Sequence, residues 1–236
     1  MLTSTIDDLN LNRSFPGDPD GRPTSAIAHY VESELLPISD YLIDLHSGGS
    51  SLMYLPSVLA FPIKDTELAE KQIQMLSAFA APLSYIATPN YEKRTMLGGA
   101  ERTGVAAICT ESGGSGTTTP HSLQVTNQGV RRVLKYLGSV PDFDVGEDPP
   151  PSRLMEICGP AYYVYSADYG MWEPLVDLGD EVVAGQPAAV VYCPQTPWRE
   201  PVITHFEHAG KVICKRIPGG VHRGDCLFHL ATDRDS

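Results

Sequence analysis

Tyr41-Leu-Ile-Asp-Leu-His-Ser-Gly-Gly49 decides how this chain is read. The run from Tyr41 to Leu45 is too short for a helix and is closed by glycine, so it reads as a buried strand ending at His46. The same plan recurs downstream. Gly104-Val-Ala-Ala-Ile-Cys-Thr110 reads as a second buried strand and passes into Glu111-Ser-Gly-Gly-Ser-Gly116. In open α/β sheets, ligands bind beyond the carboxyl ends of strands. An imidazole there offers a lone pair to a metal, and a carboxylate there can take a proton from water. Glycine lets the backbone turn sharply and leaves room for a ligand. The plain alternative is that His46 and Glu111 only close their strands by bonding nearby backbone.

Helical patterns alternate with these strands. Ile27, Val31 and Leu35 recur at four-residue spacing, which predicts a helix over about 24–36 with Thr24 or Ser25 as cap and Pro37 as stop. Leu68, Ile73, Met75, Leu76 and Phe79 predict a second helix over 65–80, and a third is expected over about 120–137. Alternation of this kind predicts an α/β layer with a mostly parallel sheet and flanking helices, over residues 1–145.

Asp142 to Pro151 is acidic and ends in three consecutive prolines, which marks a linker or domain edge. Beyond it, Ala161–Tyr165, Ala188–Tyr192 and Lys211–Cys214 are short β-type runs separated by turn residues, so 152–236 reads as an all-β unit.

The net charge of −12 gives no basic footprint for nucleic acid or for an anionic membrane surface. The five cysteines are widely spaced and contain no Cys-x-x-Cys pair, so Cys109 and the others read as small buried hydrophobes in a reducing compartment. With no apolar run long enough to span a membrane and no secretory signature in Met1–Asp8, cytoplasm is the expectation.

One further turn carries chemistry. Arg13, in Asn10-Leu-Asn-Arg-Ser-Phe-Pro-Gly17, can present its planar fork to a carboxylate from a rigid loop, or can simply be a surface arginine. The ordered set Asn12-Arg-Ser-Phe-Pro-Gly17, Asp44-Leu-His-Ser-Gly-Gly49 and Thr110-Glu-Ser-Gly-Gly114 resembles the succinylglutamate desuccinylase/aspartoacylase family, a zinc carboxypeptidase-like group. The branch that looks nearest deacetylates Nα-acetyl-2,4-diaminobutyrate in ectoine degradation.

The resemblance implies zinc (Zn2+) with His46 as a ligand, Glu111 as general base, and Asn12 with Arg13 as the clamp for the carboxylate of a small N-acyl amino acid. It also implies a homo-oligomer. The family's other two zinc ligands lie in a His-Gly-x-Glu segment upstream of the Asn-Arg turn, and this sequence has no counterpart of it. The arginine that precedes the pair in the family is matched only by Leu2 or Thr5. Two readings follow: an active deacylase represented here without its N-terminal segment, or an inactive remnant that binds carboxylates or regulates. Lost strands would also leave an open sheet edge, with poor solubility or an altered oligomer as the result.

His29 and Glu32 form the one His-x-x-Glu. With Ile27, Val31 and Leu35 facing the core, His29 falls on the solvated side, so the pair reads as surface. Glu101 is a candidate partner for a cationic substrate side chain. Gly170 to Pro187 resembles the half-repeat of a biotinyl/lipoyl-type barrel, expected to wall the substrate entrance, and His205, His208, His222 and His229 are assigned no metal.

Overall fold

The computed structural model describes residues 3–88, 92–147, 149 and 151–234; Leu2, and Asp148 and Pro150 of the proline-rich connection, lie outside the described residues. The α/β part is built from β1 (Tyr41–His46), β2 (Leu52–Tyr54), β3 (Ser57–Ala60), β4 (Leu83–Ile86) and β5 (Ala106–Glu111), with helices α1 (Pro23–Tyr30), α2 (Thr66–Phe79), α3 (Met96–Thr103) and α4 (Pro120–Tyr136). After the connection come β6 (Arg153–Glu156), β7 (Tyr163–Tyr165), β8 (Gly170–Pro174), β9 (Glu181–Val182), β10 (Pro187–Tyr192), β11 (Val202–His205), β12 (Gly210–Arg216), β13 (Gly220–Val221) and β14 (Cys226–Asp233). No described helix is long and apolar enough to cross a membrane.

The large sheet runs β1-β5-β3-β4-β6-β14-β12-β2. The pairs β1–β5, β3–β4 and β4–β6 are parallel and β3–β5 is antiparallel, so the α/β part is mainly parallel as expected. Among the described strands β1 pairs only with β5 and forms the end of the sheet, with Tyr41 and Leu45 exposed on it.

Caps explain where the helices begin and end. Asp65 accepts the amide N–H of Leu68 at the start of α2, and Thr119 with Ser122 makes a capping box at the start of α4. Along α2 the buried residues are Gln72, Met75, Leu76 and Phe79. They pack on Val58, Ala106 and Ile108 of the sheet and on Val133 of α4.

The expected face of α1 is corrected. Ile27 and Leu35 are exposed, and the residues turned inward are Thr24, Ala28 and Leu36. Within α1 the inward face is Thr24 and Ala28 rather than Ile27, and a π turn over Val31–Leu35 then shifts the helical phase before Leu36. Glu32 comes inward with that shift, and both its carboxylate oxygens are taken by Arg102 of α3, at 2.7 Å each. The pair His29 and Glu32 is therefore not a free donor set.

The C-terminal strands do not close into a barrel. They form an open four-stranded sheet, β11-β10-β8-β13, packed over the β7, β9, β12 and β14 end of the large sheet. Trp172, Val191, Phe206, Val212 and Phe228 fill the space between. Strand β14 also reaches beyond this sandwich: its last residues, Thr232 and Asp233, pair with Glu156 and Met155 of β6.

The Gly-Gly turns after β1 and β5 are explained by each other. Gly48 donates to the carbonyl of Gly113 at 3.1 Å, and Gly116 donates to that of Gly49 at 2.7 Å. A Cβ on Gly48 would stand 2.2 Å from the carbonyl oxygen of Leu52, and one on Gly114, at φ +144°, would stand 2.1 Å from the same atom. Glycine at 48 and 114 permits backbone-to-backbone packing of two turns against β2. Gly114→Ala should cost about 2–4 kcal/mol, from a forbidden dihedral plus a backbone clash, measured by urea unfolding.

Candidate active site

Parallel pairing sets the site. Asp44 lies opposite Cys109 and His46 opposite Glu111. Side chains alternate along a strand, so these four project from one face of the β1–β5 pair. The donor atoms of Asp44, His46 and Cys109 lie within 4.8 Å of one another. The strand ends are pinned: the backbone N–H of His46 donates to Thr110 Oγ1 at 3.0 Å, and that hydroxyl donates to the His46 carbonyl at 3.1 Å.

His46 Nε2 has two close partners with opposite demands. Asn12 Oδ1 accepts the Met96 amide N–H at 2.8 Å, which fixes the orientation of the Asn12 amide. Asn12 Nδ2 is thereby turned to His46 Nε2 at 3.0 Å, while Asp44 Oδ2 stands 2.9 Å from the same nitrogen. An amide N–H needs a lone pair on that nitrogen and a carboxylate needs a proton there, so one nitrogen cannot satisfy both. The hydrogen bond that the protonated ring donates to Asp44 raises the pKa of His46, and burial opposes the rise.

Glu111 is the other strained member. Its Oε2 is buried without a partner among the described residues. Burial pushes its carboxyl up to about 7, with the charge of His46 lowering it and that of Asp44 raising it. The Asp44 carboxylate and the His46 imidazole, with the buried Cys109 thiol beside them and the unpartnered oxygen of Glu111 on the same face, are a donor set that fits a divalent cation.

Asn12, Arg13, His46 and Glu111, all singled out from the sequence, line one cavity of about 540 Å³. Asn12 and Arg13 sit on a 3-10 turn over Leu11–Arg13. The Arg13 guanidinium lies near Glu92, whose carboxyl falls to about 2 chiefly through its hydrogen bonds to Arg94. Glu101 is not among the described lining residues; it is on α3 and pairs with Lys93. The carboxylates on the cavity wall are Glu92 and Glu111.

Sequence reading missed Asp44, Cys109, Tyr54, Tyr85, Tyr163 and His229, which also line the cavity or cluster at the metal-fitting donors. For Asp44 a signal existed, since it stands two residues before His46 and so shares its face. Cys109 stands in the same relation to Glu111.

An α/β sheet that gathers such donors at adjoining strand ends, over a roomy cavity, defines an α/β protein with an enzyme-like, cation-ready cleft. More closely, the chain belongs to the succinylglutamate desuccinylase/aspartoacylase family: the profile of that family's catalytic domain matches residues 3–137. It is 36% identical over 230 residues to the N-alpha-acetyl-L-2,4-diaminobutyric acid deacetylase of Halomonas elongata, covering 97% of this chain and 67% of that one. The product-bound ectoine utilization protein EutE (DoeB) from Ruegeria pomeroyi superposes with a TM-score of 0.90 at 32% identity, covering 98% of this chain and 69% of the other. A succinylglutamate desuccinylase/aspartoacylase from Rhodobacter sphaeroides gives 0.88 at 28% identity, with 99% and 70% covered.

Proposed function

We propose that this protein is a zinc-dependent amidohydrolase that releases the acyl group from an N-acylated amino acid. The observation that carries the reading is the buried, unpartnered Oε2 of Glu111, on the same strand-pair face as His46 and in the same cavity as Arg13. The curated relative, a deacetylase of an acylated diamino acid by name, supports the reaction class.

His46 and Asp44, with Cys109 close by, would hold the ion. Zinc supplies Lewis-acid polarisation of the acyl carbonyl and a more acidic water. The remaining work falls to this chain's own groups. Arg13 binds the substrate carboxylate through its planar fork; Asn12, expected to share that clamp, has its amide engaged by the Met96 N–H and by His46 Nε2 and instead keeps the imidazole turned toward the cavity. Glu111 Oε2 accepts a proton from the attacking water and returns it to the departing amine nitrogen. A carboxyl with a pKa near 7 suits both transfers at neutral pH.

The division into a catalytic part, 1–145, and a β-rich part, 152–236, belongs to this reading, and the separate apolar cluster around Trp172, Phe206 and Phe228 supports it. Arg13→Ala is the test of the clamp. It should raise KM by about 10–100-fold, since a charged hydrogen-bonded pair is worth about 1.5–3 kcal/mol, and should change kcat much less. An unchanged KM for an N-acyl amino acid would remove Arg13 from the site. Binding without zinc-dependent turnover would favour a carboxylate-binding protein instead.

A further inference from the structure

Four residues far apart in sequence form a row across the β2–β12–β14–β7 end of the large sheet. Tyr54 pairs with Cys214, Cys214 with His229, and His229 with Tyr163. Residues directly opposite in antiparallel strands point to the same face. Tyr54, His229 and Tyr163 all line the candidate active-site cavity. His229 thus reaches the cavity from the C-terminal half of the chain. Its ring stands edge-on to Tyr163, with centroids 4.4 Å apart, and to Tyr54, at 5.4 Å.

One ring nitrogen is already committed: the Tyr54 hydroxyl lies 2.9 Å from His229 Nδ1. A phenol is the better donor and an imidazole nitrogen the better acceptor, so the Tyr54 O–H donates to Nδ1 and the ring proton resides on Nε2. Burial holds Tyr54 well above its ordinary pKa and lowers that of His229 to about 3, so both stay uncharged at working pH. The nitrogen left for a ligand is Nε2, carrying a proton. The arginine among the described lining residues is Arg13 alone; the rings directly against His229 are those of Tyr54 and Tyr163, and Tyr85, Phe61, Leu59 and Ile157 line the same cavity.

We propose that His229 is a substrate-contacting residue, whose Nε2–H, oriented by Tyr54, donates a neutral hydrogen bond to an oxygen of the bound N-acyl amino acid. This rests on the amidohydrolase reading and adds a contribution of the C-terminal half to substrate recognition. A neutral donor suits an oxygen whose charge is not already matched by Arg13, and it avoids the cost of placing a second cation in an aromatic wall.

The test uses the full chain carrying Glu111→Gln, which leaves the ligand intact, with Nα-acetyl-L-2,4-diaminobutyrate as probe. Long-range 1H–15N spectra should show His229 as the neutral Nε2–H tautomer from pH 5 to 8, and the probe should shift its Nε2 resonance. Tyr54→Phe should weaken that tautomer preference. In calorimetry, His229→Phe should weaken binding about tenfold, while His229→Gln, which keeps a neutral donor, should stay within about threefold of the parent. An Nδ1–H tautomer, a resonance that ignores the probe, or unchanged affinity in His229→Phe overturns the proposal. If zinc- and Glu111-dependent hydrolysis by the otherwise unaltered chain persists alongside such a result, only the role of His229 falls. If zinc- and Glu111-dependent hydrolysis of N-acyl amino acids is absent as well, the amidohydrolase reading falls with it.

Discussion

Glu111→Gln is expected to lower kcat for hydrolysis of an N-acyl amino acid by about 10²–10⁴-fold, the range for removing a positioned general acid–base group. KM and zinc content should change little, because the substituted amide keeps the shape of the side chain in the same buried pocket. A carboxamide cannot take up the proton that the carboxylate takes, so the water is not activated and the amine is not protonated on leaving. The fold should also tolerate the change. In the parent, Glu111 Oε2 is buried without a partner, so replacing a carboxyl under burial strain with a neutral amide should hold or raise the thermal midpoint. Steady-state kinetics and a melting curve on the same preparation check both parts. A variant as fast as the parent would remove Glu111 from the chemistry.

His46→Ala is expected to weaken zinc binding by at least about 10²-fold and to abolish turnover with it, since structural and catalytic zinc sites depend on each of about three or four ligands. The effect should be larger than for Asn12→Ala, which removes only a group holding the imidazole; loss of such a supporting partner typically costs about 10–100-fold. Competition with a chromophoric chelator measures both affinities. Equal zinc affinity in parent and His46→Ala would place the ion elsewhere.

Much of the candidate face was legible because its signals are local. His46 and Glu111 each end an apolar run before a Gly-Gly pair, and Asp65 and Thr119 announce helices at short range. What failed was whatever depends on partners distant in sequence. The row containing Tyr54 and His229 joins residues 175 positions apart, and nothing near either one shows that they meet. Cys109 reads as a small hydrophobe until the register sets it opposite Asp44.

Short, wholly buried strands were also silent: Ser57–Ala60 and Leu83–Ile86 are buried at every position and so show no alternation to read. Helix α3 was missed for another reason. Gly98 and Gly99 make Met96–Thr103 a poor helix by propensity, but a Cβ at Gly98 would stand 2.1 Å from the Lys93 carbonyl oxygen, so close packing requires glycine there. The face of α1 was misread because it buries Thr24 and Ala28, a polar and a small residue, and leaves Ile27 exposed, and the π turn that follows cannot be read from apolar spacing. The barrel expectation failed where long-range pairing decides: β14 joins the large sheet through β6, and β11, β10, β8 and β13 form an open four-stranded sheet.

That strand ties two distant duties together. His229 faces the cavity, and only four residues on, Asp233 is clasped by Arg153 at 2.7 Å. At about 3.3 Å per residue the clasp lies some 13 Å from the imidazole. An extended strand is stiff along its length, so the segment around Asp233 is joined by the same strand to the wall of the cleft. Changes at residues 153 or 233 are therefore expected to retune ligand fit while touching no ligand.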